Sequence, residues 1–272
     1  MGASASGAGL RPVFTEVAEV AGYLWDRGWA ERNAGNISVD VTEAMEKSPS
    51  SGKKVRVVPT SMRYPGLEGR SFLVTVSGSR MRDVARAPRE HTCIIRMAED
   101  ADGYRIVWGE AASSGARPTS ELPTHLVIHQ RLRSHQAPHR VIVHTHPTEL
   151  IALTHIAGHN DEESVNRLLW AMHPESIVVN PRGVGLVPYT LPGTDEIADA
   201  TARAFDRHPV ILWGKHGVVA IGKDAMEAFD MIDTLTKSAQ VFFMCKNAGY
   251  APEGLTSEEL GALQRKFPGE SA

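Results

Sequence analysis

Apolar residues recur at helical spacing over residues 13–27, with Phe14, Val17, Ala18, Ala21, Leu24 and Trp25 on one stripe and Gly28 where a helix would stop. β-Branched and aromatic runs predict strands at 72–77, 93–97, 104–109 and 140–146, the second and third joined by a hairpin through Asp102-Gly103. Between them, residues 42–69 are rich in Ser, Lys, Pro and Gly and read as an excursion from the core, with one short strand candidate at 55–58. A helix is expected over 120–134, with Ser120 as its N-cap, Pro123 in its first turn, and Leu122, Leu126, His129 and Leu132 facing inward. A short helix follows Pro147 and another spans 162–172. A strand is expected over 175–180, and Pro181-Arg182-Gly183-Val184-Gly185 then turns the chain. A helix runs over 192–206, and residues 210–218 read as one strand broken by two glycines around His216. Helices over 224–246 and 257–266 close the chain. This interleaving predicts an α/β fold, a three-layer α/β/α sandwich, and the hairpin spacings predict a central mixed, largely antiparallel sheet. Residues 1–12 read as a disordered leader and 13–272 as a single domain.

Composition narrows the classes of partner. With 272 residues, 42% of them hydrophobic, the chain can bury one large core. A formal net charge of −3 supplies no global basic field, so neither nucleic acid nor an anionic membrane is the indicated partner, and any anion must be bound locally. Cys93 and Cys245 lie far apart and form no Cys-x-x-Cys spacing, which argues against a disulfide framework and fits a reduced cytoplasmic setting. No run of about 18 apolar residues predicts a membrane span.

The chemistry concentrates on His144-Thr145-His146, at the end of the apolar run Val141-Ile142-Val143. Strand side chains alternate faces, so the two imidazoles leave the sheet on the same side and can grip one ion. A zinc-class cation needs at least three protein ligands. His216 is the best third one, with His155 and His159 nearer in sequence. The helix starting at Ser120 climbs roughly 22 Å and the strand ending at His146 returns roughly 23 Å, which brings Glu121 level with the pair. Two polar glycine turns, Asn33-Ala34-Gly35-Asn36 and Ser77-Gly78-Ser79, suit either ordinary turn chemistry or donation to an anion from amides, hydroxyls and backbone N–H groups.

Taken in order, Glu31-Arg32-Asn33-Ala34-Gly35-Asn36, Thr119-Ser120-Glu121-Leu122-Pro123, His144-Thr145-His146, Pro192-Gly193-Thr194-Asp195-Glu196 and the 232–241 helix resemble the class II aldolase family, over residues 14–267. The resemblance implies one Zn2+ per subunit held by His144, His146 and His216, with Glu121 beside it as catalytic base. It implies that a phosphorylated ketose is cleaved to dihydroxyacetone phosphate and an aldehyde, with Asn33, Asn36, Ser77, Gly78 and Ser120 on the phosphate. It further implies a homotetramer in which Glu175 reaches a neighbouring subunit's site and serves the aldehyde half. For the acid–base role, Glu121 is expected to carry a raised pKa or to be released from the metal as substrate binds. Val76 and Ser79 depart from a glycine and a lysine in the family's pattern, and Arg80 or Arg82 is the expected compensation. The aldehyde pocket is not legible, which leaves open fuculose phosphate or another phosphoketose, an epimerase or dehydratase on the same site, and a metal-free binding domain like the adducin head.

Overall fold

The computed structural model describes residues 9–46, 56–109, 117–159 and 161–268. Its helices are α1 (Arg11–Asp26), α2 (Thr42–Glu46), α3 (Met81–Arg86), α4 (Leu122–Ser134), α5 (Thr148–Leu153), α6 (Glu162–Met172), α7 (Glu175–Val179), α8 (Asp195–Ala204), α9 (Ala225–Asn247) and α10 (Ser257–Lys266). The strands are β1 (Asn36–Asp40), β2 (Val58–Pro59), β3 (Ser71–Thr75), β4 (Thr92–Met97), β5 (Gly103–Trp108), β6 (Val141–Thr145), β7 (Val184–Val187), β8 (Val210–Trp213) and β9 (Gly217–Gly222). They form one sheet in the order β2-β5-β4-β3-β1-β6-β9-β8-β7. Every neighbouring pair is antiparallel except β7 with β8. The mixed, largely antiparallel sheet expected from the hairpin spacings is therefore present.

Strand alternation divides the core. Ile37, Val39, Leu73, Val141 and Val143 turn to one face, where α1, α6 and α9 cover them. Phe72, Val74, Ile95, Ile142 and Val219 turn to the other, under α4 and α8. These are the outer layers of an α/β/α sandwich. On β1 the alternation has an unusual consequence: its second face is polar, Asn36 and Ser38, yet it lies under α4 and both residues are buried. Buried polar groups must find partners, and what these two find shapes the site.

Several local expectations are revised. Residues 175–179 form helix α7 rather than a strand. Ser176 bonds Ser238 of α9 and Ile177 is buried, so docking on α9 overrides the β-preference of Ile177-Val178-Val179. The turn after it is shorter than expected, since β7 already begins at Val184. Residues 210–218 are not one interrupted strand: β8 and β9 pair as an antiparallel hairpin with Lys215-His216 in its turn. Lys215 takes the left-handed conformation, φ 63°, and its N–H donates to Thr154 Oγ1 at 2.7 Å. Ser120 is not the cap of α4, because Glu121 occupies that position, with its N–H on Thr119 Oγ1 at 3.3 Å. Helix α1 already contains Arg11 and Pro12, whereas residues 1–8 of the expected leader, like Val55 of the 55–58 strand, lie outside the described residues. No described helix is long and apolar enough to cross a membrane.

Candidate metal centre and anion pocket

Two segments deliver the three imidazoles. His144 is near the end of β6, His146 stands just past it, and His216 occupies the β8–β9 turn. Antiparallel pairing of β6 with β9 places Thr145 opposite Val218, which carries the turn to the same sheet end. One nitrogen from each ring lies within 4.8 Å of the others, and no further such group occurs among the described residues. His155 and His159, the competing ligand candidates, stand outside the cluster.

Hydrogen bonding sets which nitrogens face inward. His144 Nδ1 donates to the Val218 carbonyl at 2.9 Å, and His146 Nδ1 donates to Glu31 Oε1 at 3.0 Å. In neutral rings this leaves a lone pair on each Nε2, and the two Nε2 atoms face each other at 3.1 Å. Two opposed lone pairs at that distance call for a cation, and a tetrahedral ion with bonds of about 2.05 Å would separate its ligands by about 3.3 Å. The donor set therefore fits a divalent metal. Trp213 backs the cluster, its ring centroid 4.6 Å from that of His144 and 5.1 Å from that of His216. Burial pushes the His144 imidazole down to about 4, so it is a neutral ligand in the physiological range.

Glycine is required at two contacts here. A Cβ on Gly217 would lie 2.7 Å from the Thr145 carbonyl, 2.8 Å from His146 Cδ2 and 3.1 Å from His144 Cε1. The space beside Gly217 is thus filled by the Thr145 carbonyl and the two imidazoles. Gly35, at φ 77°, brings the 31–35 turn against β6, where a Cβ would meet the His144 carbonyl at 2.9 Å. That turn carries Glu31, which orients His146 as an outer carboxylate.

Glu121 lies where the lengths of α4 and β6 placed it. Its Oε2 is 3.5 Å from His144 Nε2 and its Oε1 3.9 Å from His216 Nε2. Asn36, paired in register with His144, donates from Nδ2 to Glu121 Oε2 at 2.7 Å. Burial raises the carboxyl's pKa, but His144 and the Asn36 hydrogen bond outweigh it and leave the group below its ordinary value. Of the two alternatives expected for Glu121, the raised pKa is therefore not found.

A polar pocket opens beside the imidazoles. Asn33, Asn36, Ser77, Gly78, Ser79, Thr119, Ser120 and Glu121 line it together with His144, His146 and His216. No lysine or arginine stands among the described residues that line it. Arg82 lies over the Trp25 ring, 5.0 Å from its centroid, and neither it nor Arg80 is among the residues that line the pocket. Asn36 is less available to an anion than expected, because Glu121 and His125 already hold both ends of its amide. Glu175 is exposed at the start of α7 and is not among the residues lining this chain's pocket.

The polar face of β1 meets two histidines of α4 that the sequence reading did not place in the site. Ser38 Oγ lies 2.7 Å from His125 Nδ1 and 2.8 Å from His129 Nε2. Their signal was the four-residue spacing of Glu121, His125 and His129, which puts all three on one helix face. Burial pushes these imidazoles down, to about 3 for His125 and about 4 for His129. An unfolded imidazole titrates near 6.5, so between that value and the folded ones the unfolded chain binds more protons and stability falls as pH falls. The slope is on the order of 1.4 kcal/mol per pH unit for each ring. Urea midpoints of chelator-treated protein are expected to drop between pH 6.5 and pH 5, and a flat profile would mean that these rings do not enter the fold neutral.

The chain belongs to the Class II Aldolase and Adducin N-terminal domain family, whose profile matches residues 15–243. Among individual relatives, it is 43% identical over 253 residues to the rhamnulose-1-phosphate aldolase of Bacteroides thetaiotaomicron, covering 93% of each chain. The rhamnulose-1-phosphate aldolase of Escherichia coli O127:H6 is 39% identical over 247 residues, 89% of each chain. A solved sugar-phosphate aldolase from Thermotoga maritima superposes with a TM-score of 0.77 at 32% identity, over 90% of this chain and 99% of that one. An L-fuculose 1-phosphate aldolase structure, at 21% identity and TM-score 0.61, shares the fold.

Proposed function

We propose that this protein is a zinc-dependent aldolase that reversibly cleaves L-rhamnulose 1-phosphate to dihydroxyacetone phosphate and L-lactaldehyde. The observation that carries this reading is the convergence of His144, His146 and His216 on one point, with the Glu121 carboxylate 3.5 Å from His144 and an uncharged polar pocket alongside. The identity to rhamnulose-1-phosphate aldolases, 43% over nearly the whole chain, supports the choice of substrate. Fuculose 1-phosphate is less favoured, since the likeness there is 21% and extends to the fold alone.

In cleavage the C3–C4 bond of the ketose breaks, its electron pair stays on C3, and the C4 hydroxyl gives its proton to the ionised Glu121 carboxylate as the aldehyde forms. Glu121 delivers a proton to C3 to complete dihydroxyacetone phosphate, and removes it in condensation. Zinc bound by the three imidazoles supplies Lewis-acid stabilisation of the negative charge that develops next to the ketone. Asn33, Ser77, Gly78 and Ser120 hold the phosphate through hydroxyl, amide and backbone donors near the N-terminus of α4, and Asn36 adds at most its second N–H. Uncharged donors at a helix start explain how a chain of net charge −3 takes a dianion. Glu175, exposed on α7, serves the aldehyde half of a neighbouring site in a cytoplasmic homotetramer. Elemental analysis of protein purified without chelator is expected to give about one zinc per chain, and the protein to release lactaldehyde from rhamnulose 1-phosphate. Folded protein without metal or activity would favour a binding scaffold, and product analysis on a phosphoketose panel separates aldol cleavage from epimerisation or dehydration.

A further inference from the structure

Behind Glu121 runs a chain of buried polar side chains that the proposed reaction does not itself employ. Glu121 Oε2 accepts from Asn36 Nδ2 at 2.7 Å, and Asn36 Oδ1 bonds His125 Nε2. His125 Nδ1 bonds Ser38 Oγ at 2.7 Å, and Ser38 Oγ bonds His129 Nε2 at 2.8 Å. His125 is 2% exposed, Ser38 0% and His129 4%, so no substrate touches these three.

The hydrogen bonds of this chain can run in either of two directions. In one, every donor points toward Glu121: His129 Nε2–H to Ser38, the Ser38 hydroxyl to His125 Nδ1, His125 Nε2–H to Asn36 Oδ1, and the Asn36 amide N–H to the carboxylate. In the other all are reversed, and Asn36 presents its carbonyl oxygen to Glu121. The two ends of an asparagine amide are almost equal in shape, so packing alone does not choose between them. The proton on His125 does. A neutral His125 protonated on Nε2 can meet only the Asn36 oxygen, which directs the N–H to Glu121, whereas the reverse arrangement sets two acceptors against each other in a dry environment.

We infer that His125 is a positioning residue for the proposed aldol chemistry: its Nε2–H, held in place by Ser38 and His129, locks the Asn36 amide so that Asn36 donates to Glu121 and holds the carboxylate in its working orientation. The inference rests on the aldolase reading, and its test separates the two. In the holoenzyme, His125→Leu is expected to keep its metal and to lower kcat for ketose-phosphate cleavage by about 10²-fold, with KM within about threefold of wild type. Gln places an amide N–H near the position of a histidine Nε2, so His125→Gln is expected to recover most of kcat. Because His125 acts through Asn36, adding His125→Leu to Asn36→Ala should cost less than about threefold more. Equal impairment of the Leu and Gln variants, or multiplicative losses in the double variant, would overturn the inference. A readout independent of substrate is the ¹⁵N imidazole spectrum, with the His125 signals assigned by their loss in His125→Gln. Wild-type His125 is expected as the Nε2–H tautomer at neutral pH, and an Nδ1–H tautomer would overturn the inference even in an active enzyme. If the wild-type protein shows no aldol cleavage while the Nε2–H tautomer is found, the aldolase reading fails and the positioning of Glu121 stands.

Discussion

Glu121→Gln protein is expected to bind its full complement of metal while losing cleavage and condensation by about 10²- to 10⁴-fold, the usual worth of a positioned acid–base group. Glutamine preserves the shape of the side chain and can still accept from Asn36 Nδ2, which in the wild type reaches Glu121 at 2.7 Å. The imidazoles keep their own supports, the Val218 carbonyl for His144 and Glu31 for His146. What the variant lacks is a group that takes and returns a proton. The cleanest assay follows exchange of the C3 protons of dihydroxyacetone phosphate with deuterated solvent, alongside metal content. Exchange at the wild-type rate would move the base elsewhere; loss of metal would make Glu121 a structural ligand first.

The second large effect is expected at a residue with no chemistry of its own. Gly217→Ala places a methyl group 2.7 Å from the Thr145 carbonyl and 2.8 Å from His146 Cδ2, contacts that a Cβ essentially never makes. The Thr145 backbone cannot yield readily, because its strand is paired on both sides, with β1 and with β9. The rings of His146 and His144 must therefore move, and the Nε2 atoms now 3.1 Å apart lose their common focus. Overpacking of this kind costs about 1–3 kcal/mol of stability. The functional loss should be larger, with metal content below about a tenth of wild type and activity reduced at least about 10²-fold, since a site about 1 Å out of register loses both ligation and positioning. A Gly217→Ala protein with full metal and wild-type kcat would show that the β8–β9 turn adapts without cost.

These expectations draw on features of unequal legibility. The His-x-His pair was readable because strand alternation is a local rule, and the approach of Glu121 followed from two element lengths. The β8–β9 hairpin was not readable as such. Val210 to Val218 is apolar at both ends, and whether two glycines interrupt a strand or reverse it depends on Lys215 adopting φ 63° with its N–H on Thr154, a residue 61 positions away. Likewise Ile177-Val178-Val179 carries strand propensity in isolation and becomes helical because Ser176 and Ile177 dock on α9. Asn36 read as an anion donor on its turn chemistry, and its commitment to Glu121 and His125 needed the register of β1 against β6 and the position of α4 above them.

Local periodicity thus sufficed for the longer helices, for strands β3 to β6, for the two-imidazole motif and for the layered α/β class, because each reflects forces between residues close in the chain. The third imidazole, the opposed lone pairs of His144 and His146, the Ser38–His125 support and the direction of the Glu121 pKa were set by packing across the sheet. Those features arise from contacts between segments far apart in the chain, among them pairs 74, 87 and 115 residues apart, where a hydrogen bond or a missing Cβ matters only once the segments have met.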